Sequence, residues 1–144
     1  TYVYKELGGK LQLAAWDFNN GFDNYQWFHT ETDRLHTVEN SWFDRLWQDE
    51  NFREHVCERY GQLRKTTLSD EHIADKIASY QEELGDAVDR NFKVWGYSFD
   101  ENLLAGTDKD GMSRDIGSYE EAMKQLTDTI RERLAYLDKE LGGN

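Results

Sequence analysis

Proline is missing from the chain altogether, and cysteine occurs once, at Cys57. An average protein is about 5% proline, so its absence removes the commonest helix breaker and fits long uninterrupted helices. One thiol cannot close an internal disulfide; in a helical stretch beside Val56 it reads as a small buried residue. Bases are scarce as well: 17 Lys and Arg stand against 29 Asp and Glu, a formal charge of −12. Neutralising phosphates takes a basic footprint, so this balance excludes a nucleic-acid partner and disfavours an anionic membrane surface. No apolar run approaches the roughly 18 residues of a membrane span, and no secretory leader pattern is present. The first residue is Thr1 rather than Met, which reads as an excised piece or a processed product.

What the chain does have is aromatic mass. Five Trp, eight Tyr and seven Phe in 144 residues supply large buried areas and argue for a folded domain rather than an acidic disordered one. At this length roughly 70% of the unfolded surface can be buried, so residues 1–144 read as a single domain.

Two short alternating runs, TYVYKE and LQLAAW, flank Gly8 and Gly9 and predict a β-hairpin over residues 1–17. A lone hairpin is marginal in water, so it is expected to lie on helices or on sheet from elsewhere. Residues 18–40 are polar and read as an irregular connection, pinned by Trp27, Phe28 and Leu35. Helices fill residues 41–141. Trp42, Phe43, Leu46 and Trp47 mark a short one with Asn40 as its cap, and Asp49 caps the next, with Phe52, Val56, Tyr60 and Leu63 in phase. After Ser69, a stripe of Ile73, Ile77, Tyr80, Leu84, Val88, Phe92 and Trp95 predicts one long helix stopped by Gly96. Residues 97–117 form a loop. Ser118 and Glu121 make a capping box, and Met123, Leu126, Ile130, Leu134, Leu137 and Leu141 form a second long stripe ended by Gly142 and Gly143. The fold class is therefore mainly α, a helical bundle with a short N-terminal β-hairpin. Aromatic and Met residues on the stripes read as core rather than as a cofactor box.

Chemistry has few footholds. There is no P-loop, no glycine fingerprint for dinucleotides, and no HExxH or CxxC pattern. His29, His36, His55 and His72 lack metal-ligand spacing; His29 and His36 could meet in the loop, though solvated polar residues account for them equally simply. GTDKDG, residues 106–111, resembles a calcium loop but lacks an oxygen ligand before its Gly and the closing Glu, so it reads as an acidic turn. Asp17 remains, at the end of the second strand, with Asn19, Asn20 and Asp23 close behind. A carboxylate fixed there, with amide oxygens nearby, suits Mg²⁺ held together with substrate phosphates. The same residues also make turns by bonding their own backbone.

A resemblance bears on that choice. YVYKELGGKLQLAAWDFNNGF (residues 2–22) is similar to the two-strand segment of the CotH spore-coat kinase family, which ends in Trp-Asp, an aromatic, then Asp or Asn. SWFDRLWQDENFREHVCERYGQLRK (residues 41–65) resembles that family's helical block, AVDRNFKVWG (residues 87–96) its Arg-Asn and Trp landmark, and RERLAYLD (residues 131–138) its closing helix. The motifs run in the family's order over nearly the whole chain. The resemblance implies the C-terminal-lobe portion of an atypical kinase fold that, with Mg or Mn and ATP, phosphorylates Ser residues of spore-coat or surface proteins. It places the metal-holding carboxylate on Asp17 and gives Asn19, where the family often has a second acid, a lesser ligand role. It also implies a spore-coat or extracellular, cell-surface location. The alternative is a non-catalytic interaction module of a coat or surface, with Trp27, Phe28 and Tyr97 as an exposed patch.

The family's nucleotide-binding part and catalytic loop precede its hairpin, and this chain opens at the hairpin, so the catalytic set is expected to be incomplete within these residues. Phosphoryl transfer needs positioning and charge neutralisation together. Incubated alone with Mg-ATP or Mn-ATP and a Ser-containing acceptor, the chain is expected to transfer no label; clear incorporation would overturn that expectation.

Overall fold

A computed structural model of the chain describes residues 2–14, 21–23, 30–39, 41–95 and 116–142. Strands β1 (Tyr2–Tyr4) and β2 (Gln12–Ala14) form the antiparallel hairpin, pairing Tyr2 with Ala14, Val3 with Leu13 and Tyr4 with Gln12. The turn closes with the Gly9 amide on the Glu6 carbonyl at 2.9 Å, and Gly8 takes φ 77°, a conformation glycine adopts without strain. Val3, Leu11 and Leu13 are all exposed, so this hairpin presents apolar side chains to its surroundings on both faces.

Five helices follow among the described residues: α1 (Ser41–Trp47), α2 (Glu50–Arg64), α3 (Asp70–Leu84), α4 (Ala87–Trp95) and α5 (Tyr119–Leu141). A 3-10 turn, His36–Glu39, leads into α1 and packs against it. Caps define the starts. Asp49 accepts the Phe52 amide at 3.0 Å, Ser69 the His72 amide and Ser118 the Glu121 amide, both at 3.1 Å. Glu121 completes its box by accepting the Gly117 amide at 2.7 Å. Gly142 ends α5 because a Cβ there would sit 2.5 Å from the Asp138 carbonyl oxygen. No described helix is long and apolar enough to cross a membrane.

The expected single helix from Ser69 to Trp95 is two. Gly85 adopts φ 43°, ending α3, and α4 restarts at Ala87. The apolar stripe continues across the break because helical phase alone does not report where one residue leaves helical space. The stripe is also less buried than a core stripe should be. Tyr80 and Trp95 are more than half exposed, as is Trp42 on α1.

The fully buried apolar residues among those described are Tyr60, Leu134 and Leu141, which place the core where α2 meets α5. Burying each leucine contributes about 1.5–3 kcal/mol. Around them lies a polar clamp. Arg64 grips Asp138 with two parallel bonds, Nε to Oδ1 at 2.8 Å and Nη2 to Oδ2 at 2.9 Å. Its Nη1 reaches Asp70 Oδ1 at 2.9 Å and also bonds the Leu68 carbonyl, so the start of α3 is held by the same side chain. The Tyr60 hydroxyl donates to Asp138 Oδ1 at 2.6 Å. Burial, then that bond, raises the pKa of Tyr60, so its hydroxyl stays protonated and donating. At the other end of α5, the Phe92 and Tyr119 rings meet with centroids 5.9 Å apart, tying in α4.

Bonding from Arg64, ahead of that from Tyr60, holds the Asp138 carboxyl below the ordinary carboxylate range. A depressed folded-state pKa contributes stability above the unfolded value and loses it as pH falls through the folded one. Asp138→Asn is therefore expected to cost about 1–2 kcal/mol at neutral pH, read by urea denaturation. The gap from wild type should close in acid; a gap that does not change with pH would exclude the charge as its source.

Candidate functional site

Asp17, Asn19 and Asn20, the residues the sequence singles out, lie outside the described residues, as do His29, Trp27, Phe28, Tyr97 and the 106–111 turn. Among the described residues, no three His, Cys, Asp or Glu side chains gather to hold a metal ion. Cys57 is half-buried on α2, and His36 bonds the Glu31 carbonyl through Nε2 at 2.8 Å. What is described are the two flanks of the Asp17 segment: β2, which ends at Ala14, and the turn at Phe22 and Asp23.

That turn is built on left-handed backbone, with φ 56° at Phe22 and 64° at Asp23. Asp tolerates the region because its short side chain bonds locally; Phe pays roughly 1–2 kcal/mol for it. The conformation turns the Asp23 carboxylate inward, where the residue is only 8% exposed. Oδ1 accepts the Thr30 amide at 2.6 Å, and Oδ2 accepts Gln125 Nε2 at 2.9 Å. The same Gln125 nitrogen lies 3.2 Å from the Asp23 carbonyl oxygen. A carboxylate only accepts, so Gln125 must present its NH₂ here. One residue thus closes its own loop and fastens it to α5.

Eight residues further along α5 the fastening is repeated. Arg133 Nη1 donates to the Thr32 carbonyl at 3.0 Å and to the Arg34 carbonyl at 2.5 Å. Thr32 Oγ1 reaches Glu132 Oε2 at 3.4 Å. Arg34 turns outward between Glu31 and Glu39, bonding Glu31 at 2.6 Å and Glu39 through Nε at 2.8 Å. This ion cluster is solvent-exposed and so adds little to stability. The Arg133 and Gln125 contacts differ because they satisfy backbone or buried carboxylate groups. Together they make α5 a rigid rail along which the segment from Asp23 to Arg34 is laid.

Gln125 and Arg133 were not singled out by sequence reasoning, and Asp23 appeared there only as a neighbour of Asp17. Their partners lie about a hundred residues away, and a spacing rule has no reach across that distance. The one usable signal is local: Asp23 follows Gly21 and Phe22 where a turn is expected.

These described elements form one arrangement: a hairpin, a segment with Trp16, Asp17 and Phe18, a turn clamped to the closing helix, and a helical body between. A family model for the CotH kinase protein matches residues 1–137, from the hairpin through nearly all of α5. The chain belongs to the CotH kinase protein family. Comparison with the curated proteins and with the solved structures gives no match. Membership gives the hairpin-to-helix layout a kinase setting. In CotH terms the Asp23 turn is the far anchor of the segment that carries Asp17.

Asp23→Ala removes two bonds to a buried carboxylate and puts a strained residue at positive φ. It is expected to cost about 2–3 kcal/mol, while Asp23→Asn, which tolerates that φ, should cost clearly less. Equal losses in thermal denaturation would argue against backbone conformation as part of the effect.

Proposed function

We propose that the chain is the metal-holding and helical portion of a CotH-type protein kinase, with Asp17 as the carboxylate that binds the nucleotide's divalent cation. In the intact protein the reaction is transfer of phosphate from ATP to Ser residues of spore-coat or surface proteins. The observation that carries this reading is the family match over residues 1–137, which includes Trp16-Asp17-Phe18 together with the helices behind it.

The donor set fits a hard cation. A carboxylate oxygen from Asp17 and an amide oxygen from Asn19 are the ligand types Mg²⁺ and Mn²⁺ take, with phosphates and water completing the shell. When bound, the cation supplies charge neutralisation on the phosphate oxygens. Asn19 brings less charge than an acid would, so Asp17 bears most of the electrostatic work. β2 and the Asp23 turn limit where the intervening residues reach, and catalysis by positioning depends on such limits. A spore-coat or surface location follows the family's name and is part of the same proposal.

The second reading is a non-catalytic interaction module, supported by the exposed apolar side chains of the hairpin and by Trp42. The two readings part at Asp17. In the intact protein, Asp17→Ala should reduce transfer from Mg-ATP or Mn-ATP by more than about 10²-fold while circular dichroism shows the helices intact. Retained transfer refutes the assignment, and partner binding without nucleotide binding favours the module.

A further inference from the structure

α3 is anchored at its first turn, where Arg64 holds Asp70, and beyond that it stands away from α5. The gap between them has a volume of about 300 Å³ and is lined by Ile73, Ala74 and Ile77 on α3 and by Ile130 and Leu134 on α5. Further along α3 the same stripe continues to the surface, with Tyr80 55% and Leu84 51% exposed. This is an apolar trough of a size to take a pair of aliphatic side chains, open along the helix that ought to close it.

The charge around its far end says what kind of occupant suits it. Glu82 and Glu83 lie in the last turn of α3, which has no basic residue, and Asp86 follows directly. A helix C-terminus is the negative end of the backbone dipole and normally attracts cations. Here acids occupy it, and none of the three has an ion-pair partner. The cations nearest the trough are engaged: Arg131 pairs with Asp128 at 2.8 Å, and the Lys76 ammonium sits over the Tyr80 ring at 5.2 Å. A second copy of a chain at −12 would bring more negative charge to the same place.

We propose that the trough between α3 and α5 docks a segment of a partner protein in which a block of Lys or Arg adjoins two aliphatic residues. The aliphatic pair fills the gap beside Ile77 and Ile130, and the basic block lies against Glu82, Glu83 and Asp86. The apolar part supplies affinity and the charged part selects the partner and speeds its arrival.

Fluorescence anisotropy on the 144-residue chain tests this with three labelled synthetic peptides: a lysine block beside two leucines, the same leucines beside glutamates, and the lysine block beside two serines. The first is expected to bind about tenfold or more tightly than either control, and less tightly as salt rises. Glu82→Lys combined with Glu83→Lys, a change that suits the helix dipole and so preserves the fold, should weaken the first peptide about tenfold. Ala74→Trp, which fills the gap from an exposed position, should remove the advantage of leucine over serine. The proposal fails if the first peptide does not bind, if the serine peptide binds equally well, or if both variants bind as wild type does. It also fails if sedimentation shows that the chain dimerises and that Ala74→Trp abolishes the dimer.

Discussion

Most of the described tertiary structure depends on one guanidinium. Arg64, in the last turn of α2, forks onto Asp138 of α5 and simultaneously reaches Asp70 and the Leu68 carbonyl at the entry to α3. A planar fork with fixed donors suits this role, since a lysine could not satisfy a bidentate carboxylate and two further acceptors at once. Tyr60, one turn earlier, closes the arrangement by donating to the same carboxylate while its ring fills the core. Breaking a half-buried pair of this kind leaves a charge without its partner, which is why such contacts fail sharply rather than gradually.

The clamp fixes α5, and α5 in turn fixes the loop. Gln125 and Arg133 can hold Asp23, Thr32 and Arg34 only because the C-terminal part of their helix is already seated on α2. A single 23-residue helix therefore joins the core to the loop that borders Asp17. For a kinase family member this division is physically sensible. A chain at −12 repels a nucleotide at a distance, so the proposed site depends on a cation held at a defined place and on scaffold that does not shift when the phosphates arrive.

Several elements were legible in the sequence because their causes are local. Asp49, Ser69 and Ser118 cap helices three residues away or nearer, and Gly8 turns a hairpin whose strands flank it directly. The mainly helical class followed from the two stripes, and the family from motifs in order. The break at Gly85 was not legible, since the hydrophobic phase runs through it; a glycine in a helix is only a weak warning until its φ is known. Nor was the fate of Tyr80, Trp95 and Trp42, which sit in helical phase with buried residues yet remain exposed. Phase tells which face of a helix is apolar and leaves open whether anything packs on it.

By itself, then, the sequence determined the helices, their caps, the hairpin and the family, all of which rest on contacts spanning a few residues or on motifs read in order. The tertiary structure alone decided that Arg64 meets Asp138, that Asp23 meets Gln125, and that α3 stands open beside α5. Those outcomes pair residues that are far apart in the chain. Their energies depend on how whole helices are placed, and no local pattern of residues encodes that placement.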